Sequence, residues 1–185
     1  MIFGLVVLLL IVVAVVWVMG MYNALVGSRN EVKNSWSQID VQLKRRHDLI
    51  PNLVETVKGY MGHERGTLEA VTNARQQAVN VTGGVEDRAK AENALSQTLR
   101  SLFAVAEAYP DLKANQNFLA LQEELTSTEN KISFARQYYN DAVLRLNNRI
   151  QMFPSSVIAG MFNFSQEKFF EVEAAEDRQV PQVKF

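Results

Sequence analysis

Apolar residues follow two regimes along this chain. From Ile2 to Met21 they are continuous, with no charge, no proline and only Gly4 and Gly20 as small breaks. Beyond Tyr22 they become periodic, recurring at spacings of three, four and seven among polar residues. In lipid every backbone polar group must be satisfied within its own segment, so a continuous run of this kind is expected to be a helix. At about 1.5 Å per residue it reaches roughly 30 Å, the thickness of a bilayer's hydrocarbon core. Trp17 and Tyr22 stand near its C-terminal end, where amphipathic rings favour the interface. Residues 1–22 are therefore expected to be a transmembrane anchor. A cleaved signal would want a basic stretch before the apolar core and a small-residue cleavage site after it. Nothing basic precedes Ile2, no such site follows, and a lipid-modified anchor would need a cysteine that the chain lacks. The uncleaved anchor is preferred, with a secreted bundle released by signal cleavage as its rival.

After the anchor, Leu25, Val32, Trp36, Ile39, Leu43 and Ile50 fit a near-heptad seam, with Arg29 and Arg46 at its remaining sites. The pattern predicts one helix running from the anchor toward Ile50, projecting about 40 Å beyond the membrane. Pro51 is expected to end or kink it, and Pro51 or Asn52 to open the next helix. That second segment carries Leu53, Val57, Tyr60, Leu68, Val71, Ala74 and Ala78 on one face. Gly59, Gly62 and Gly66 either weaken it, by about 1 kcal/mol each, or admit a neighbouring helix closely. Gly83-Gly84 is the clearest break.

A third segment, Glu86 to Tyr109, aligns Ala91, Leu95, Leu99, Leu102, Val105 and Ala106, and Pro110-Asp111 supplies a turn. Leu112 to Met152 forms one long periodic run through Phe118, Leu125, Ile132, Tyr139, Leu146 and Ile150. Nothing alternates with the period of a strand. The expected fold is all-α: an N-terminal transmembrane helix, then an antiparallel bundle of about four long helices over residues 23–152. Residues 153–185 differ. Val157–Phe164 is apolar yet too short to span a bilayer. Phe169-Phe170, an acidic cluster (Glu171, Glu173, Glu176, Asp177) and Val180–Phe185 follow. This tail is expected to pack back over the bundle; an interfacial or partner-binding element is the sharper alternative.

Charge and chemistry narrow the function. A net charge of −1 and a pI near 6.2 give no argument for nucleic acid or an acidic substrate. The absence of cysteine excludes disulfides and thiolate metal sites. His63-Glu64 is followed by Thr67 where a zinc-protease motif needs its second histidine, and His47 is the only other histidine. There is no phosphate loop and no nucleophile elbow. No catalytic residue, metal, cofactor or small-molecule substrate is expected. A hydrolase or metal-dependent enzyme built on a His47/His63 polar cluster is the second class of function.

Lys44-Arg45-Arg46 is the densest basic run. On a straight helix it would lie about 35 Å from the bilayer, beyond the roughly 8–10 Å screening length, which favours a protein contact over lipid. Lys44, Arg45, Arg46, His47, Asp48, His63 and Glu64 form the candidate interaction surface. Arg29 and Lys33 follow the anchor against a lone Glu31, a bias that places the body on the cytoplasmic side of a cell (inner) membrane; a periplasmic or extracellular body is the other arrangement.

Several blocks carry a family resemblance: Tyr22–Val26, Arg29-Asn30, the string Trp36–Val54 with its Arg45-Arg46-His47-Asp48-Leu49-Ile50-Pro51-Asn52-Leu53 core, and Val57–Tyr60. His63-Glu64, Ala74-Arg75, Tyr109–Asn115, Glu129–Ile132, Ala135-Arg136, Tyr138–Asn140 and Phe153-Pro154 continue it. Together they resemble the LemA family over nearly the whole chain. The resemblance implies a membrane helix followed by a helical bundle, and a family without an established enzymatic activity. The function expected is that of a single-pass scaffold or adaptor acting through helix-mediated protein contacts, with homo-oligomerisation through a coiled-coil-like seam.

Overall fold

The apolar seam beyond the anchor builds the body. A computed structural model describes residues 2–170. Among them it contains six helices and no strand: α1 (Ile2–Lys58), α2 (Arg65–Asn80), α3 (Val85–Ala106), α4 (Pro110–Lys113), α5 (Gln116–Gln151) and α6 (Ser155–Met161). The helices divide into two compact units, to both of which α1 and α5 contribute. The expected all-α architecture, with a long apolar N-terminal helix, is present.

The first unit holds α1 to Asp40, α5 from Phe134, and α6. The apolar run is exposed over most of its length in the chain alone, as a lipid-facing segment must be; Val18 and Met21 near its end are half-buried. Past it, Leu25, Ser28, Val32, Ser35 and Ile39 are buried, a stripe at spacings of three and four. The two helices run antiparallel, since Ser28 meets Arg149, Glu31 meets Arg145 and Trp36 stacks near Tyr139. Ser28 takes the seam site that Arg29 was expected to fill. Its small hydroxyl accepts a 2.6 Å hydrogen bond from Arg149 Nη1, while Arg29 is half-buried and holds its guanidinium 5.0 Å from the Phe164 ring. Tyr139 is buried and donates to the Lys168 carbonyl at 3.0 Å; burial, reinforced by Glu167, pushes its phenol up to about 12.

α6 closes with a Schellman motif. Asn163 adopts a positive φ of 54°, and the Phe164 N–H reaches back to the Ala159 carbonyl at 2.9 Å. Asparagine tolerates that conformation better than a branched residue does. The reversal brings Phe164 to the Tyr22 ring at 6.0 Å. The acidic cluster at Glu171, Glu173, Glu176 and Asp177, and the stretch Val180–Phe185, lie outside the described residues.

The second unit holds α1 from Val41, then α2, α3, α4 and α5 to Ser133. Its core gathers Ile50, Leu53 and Val57 of α1, Leu95 and Leu102 of α3, and Phe118 of α5. Here Pro51 neither ends nor opens a helix: α1 passes through it to Lys58. A proline inside a helix costs most through the carbonyl four residues earlier, which loses its N–H partner. That carbonyl belongs to His47, and Arg75 Nε donates to it at 2.7 Å. The break moves to residues 59–64. A Cβ added at Gly59, Gly62 or Gly66 would meet nothing within 4 Å, so these glycines admit no close neighbour; three of them within eight residues simply make helix costly at that place.

The expected long helix from Leu112 is likewise divided. Asn115 caps α5, its Oδ1 accepting the Phe118 N–H at 3.0 Å while its Nδ2 donates to the Tyr60 hydroxyl at 2.9 Å. Removing such a cap typically costs about 1 kcal/mol. Asn115→Ala is thus expected to lower the unfolding free energy of the protein, read from urea titration in micelles, by that amount, and Asn115→Asp, which keeps the acceptor, by less; equal losses for the two would show that the cap is not what matters.

Candidate functional site

The seam of α1 contains one long charged side chain, Arg46, which is fully buried. A buried guanidinium demands partners, since desolvation costs several kcal/mol per ion unless charge and hydrogen bonds compensate. Three helices supply them. From α3, Glu92 is fully buried and pairs with Arg46 Nη2, and Ser96 Oγ accepts from Nη1 at 2.8 Å. From α5, Glu129 accepts from Nη1 at 2.5 Å and, through its other oxygen, accepts a hydrogen bond from the Ser96 hydroxyl at 3.0 Å. His47 Nε2 lies 3.0 Å from the second Glu92 oxygen, within ion-pair reach but poorly aligned for a hydrogen bond.

Burial alone would push Glu92 up; contact with His47 and the Arg46 charge outweigh it and hold the carboxyl below the usual carboxylate value. The folded state therefore favours the ionised form. Its stabilisation is fully present above the usual carboxylate range and is lost as the pH falls through the depressed folded value. The urea midpoint is expected to stay level down to about pH 5 and to decline below the ordinary carboxylate range, near 4.3. Glu92→Gln should flatten that acid limb; an unchanged limb would place the acid sensitivity elsewhere.

The seven residues singled out from the sequence are dispersed. Lys44 and Asp48 are exposed on α1. Arg45 forms an exposed pair with Glu124 at 2.6 Å, a contact worth at most about 1 kcal/mol. Arg46 and His47 face the interior. His63 is exposed in the turn after α1, and Glu64 accepts from the Tyr109 hydroxyl at 3.3 Å. Because α1 continues past Pro51, Lys58 stands eleven positions beyond His47 on one helix, an axial separation of about 16 Å. The uninterrupted helix holds His47 away from the turn that carries His63, and the His47/His63 polar cluster does not form.

Glu92, Ser96 and Glu129 went unread in the sequence. A signal for Glu92 exists: it stands three residues from each of Ala89 and Leu95 in a buried stripe of α3, where an acidic residue implies a buried cation. Among the described residues no group of three or more His, Asp or Glu side chains is placed to hold a metal. Ser96 has no histidine base, since the His47 ring is directed to Glu92 and Ser96 donates to a carboxylate already engaged by Arg46. Clefts open in this unit among the described residues. One of about 170 Å³ lies beside Ser96 and Glu129; another, of about 760 Å³, opens between α1 and α2, with Ile50, Val54 and Leu68 at its walls and Lys58, Arg65 and Glu69 among its polar residues.

An all-helical body behind an apolar N-terminal helix, tied across three helices by a buried arginine, defines a membrane-associated helical-bundle protein. The profile of the LemA family matches residues 35–185, and the chain belongs to that family. It is 25% identical over 157 residues to Protein LemA of Metamycoplasma hominis, an alignment covering 85% of this chain and 72% of the relative. It is also 22% identical to Magnetosome protein MamQ 2 of Paramagnetospirillum magneticum, covering 84% of this chain and 66% of that protein, slightly less than two thirds of its length. Magnetosome protein MamQ of Magnetospirillum gryphiswaldense is 22% identical, with 88% and 70% covered.

Proposed function

We propose that this protein is a non-enzymatic scaffold or adaptor, held at a membrane by residues 1–22 and acting through contacts between its helices and those of protein partners. One observation carries the reading. The groups of the body with chemical potential, Arg46, His47, Glu92, Ser96 and Glu129, are taken up by one another across α1, α3 and α5. A site assembled for chemistry leaves a nucleophile or base aimed at space for a substrate; here the polar capacity is spent on tying helices together. The exposed face of α1 in the same unit, with Val41 63% exposed between polar neighbours and Lys44 and Asp48 following at helical spacing, is where a partner helix would lie. The sign of the residues after the anchor supports a cytoplasmic body.

The test is photocrosslinking in native membranes. A benzophenone side chain at Val41, Lys44 or Asp48 is expected to yield discrete adducts, identified by mass spectrometry, that the same group at exposed Gln97 of α3 does not yield. Adducts between copies of this chain would make the protein a homo-oligomer. Identical, diffuse labelling from all four positions would remove the adaptor reading.

A further inference from the structure

α6 joins the first unit at one particular height. Ile158 and Ala159 are buried with Leu25 of α1, against Val18, Met21 and Tyr22. Residues 18–22 are where the continuous apolar run ends. α6 therefore packs at the level where α1 leaves the hydrocarbon.

Its other side is left uncovered by the described residues. Val157 and Met161, one turn apart on the same face, are 53% and 69% exposed, and Phe153 in the turn leading into α6 is 82% exposed. Met152 and Phe162 extend the patch, Phe162 with its ring 4.7 Å from that of Tyr22. Clustered large apolar groups of this kind need a cover. In this unit the cover is indicated by what adjoins them: the apolar segment of α1, long and apolar enough to cross a membrane and exposed over most of its length in the chain alone. The surroundings are those of a membrane interface. Trp17 and Tyr22 flank the level of α6, as aromatic belts do. Just beyond it Arg149 donates to the Ala24 carbonyl at 2.6 Å, and Arg29 follows two turns after Met21, about 12 Å further along the axis. Cationic side chains at that depth are at the height of lipid headgroups.

We propose that α6 and the turn before it form an interfacial foot, with Phe153, Val157 and Met161 seated in the headgroup–acyl boundary of the leaflet from which α1 emerges. The chain then meets the bilayer twice, once by spanning it and once by resting on it, and the first unit cannot swivel freely about its anchor. The inference rests on residues 1–22 spanning the membrane.

The chain has no cysteine, so a single introduced cysteine on the full-length protein reports one position. Phe153→Cys, Val157→Cys, Met161→Cys, Val12→Cys within the span and Ser37→Cys on exposed α1 are each labelled with an environment-sensitive nitrobenzoxadiazole probe. The labelled proteins are reconstituted in phosphatidylcholine–phosphatidylglycerol vesicles. Spin-labelled phosphatidylcholine is expected to quench Val12 and the three foot positions several-fold more than Ser37, and iodide to quench Ser37 most. If Val12 is quenched by lipid while the foot positions follow Ser37, the foot is wrong and the anchor stands. Shelter of the foot positions from both quenchers would assign the patch to a protein contact and overturn the proposal. Iodide access at Val12 would overturn the anchor and the foot together.

Discussion

Replacing Arg46 by alanine is expected to destabilise the second unit by about 3–5 kcal/mol, the usual result of removing one partner of a buried ion pair. Glu92 would be left as a carboxylate with no exposed surface, and Ser96 and Glu129 would lose the guanidinium that joins them. Arg45→Ala, one residue away, should cost less than about 1 kcal/mol, since Arg45 and Glu124 form their pair with side chains 49% and 40% exposed. The contrast separates burial from charge as the cause. A third variant separates a structural network from a functional one. Arg46→Met with Glu92→Leu replaces the pair by apolar groups of similar reach and is expected to recover most of the loss, as buried pairs exchanged for packed apolar residues often do. Urea unfolding of the full chain in micelles, followed by circular dichroism, measures all three. An Arg46→Ala midpoint matching that of wild type, or a double variant weaker than the single one, would show that the network does not hold the helices together.

The second large effect concerns attachment. Leu9 and Val13 lie near the middle of the apolar run and are 63% and 58% exposed in the chain alone. An aspartate at the centre of a spanning helix costs about 2.5–3.5 kcal/mol. Leu9→Asp with Val13→Asp therefore opposes insertion by roughly 5–7 kcal/mol, and the two like charges one turn apart add to it. The double variant is expected to move from the membrane pellet to the supernatant on alkaline carbonate extraction, where wild-type protein stays in the pellet. Retention of the variant with the membranes would mean that the run is not what anchors the chain.

The LemA-family membership and the long N-terminal helix agree with what the residue pattern implies about architecture. The adaptor role stands on different ground. It rests on polar side chains that engage one another across α1, α3 and α5 and on a helix face left exposed.

Periodicity was enough to reveal the long helices and most of their inward faces, though not the short α4 and α6. Leu25, Val32, Ile39, Leu43 and Ile50 are buried as their spacing requires, because a helix that buries one stripe must place apolar residues every three or four positions whatever it packs against. The anchor was legible for a still simpler reason, since length and continuity of apolar residues are all that a bilayer demands. The boundaries were less legible. Pro51 lies inside α1 because Arg75, twenty-four residues away, takes the carbonyl that the proline leaves free. α5 begins at Gln116 because Asn115 turns its side chain back onto the Phe118 N–H. The site was hidden for the same reason. Arg46 could be assigned to the seam from its spacing, but its partners come from positions 92, 96 and 129 on two other helices. A periodic pattern states which face of a helix turns inward; only packing decides which faces meet, and so whether a charge in a seam looks out on solvent or is closed in among its counter-ions.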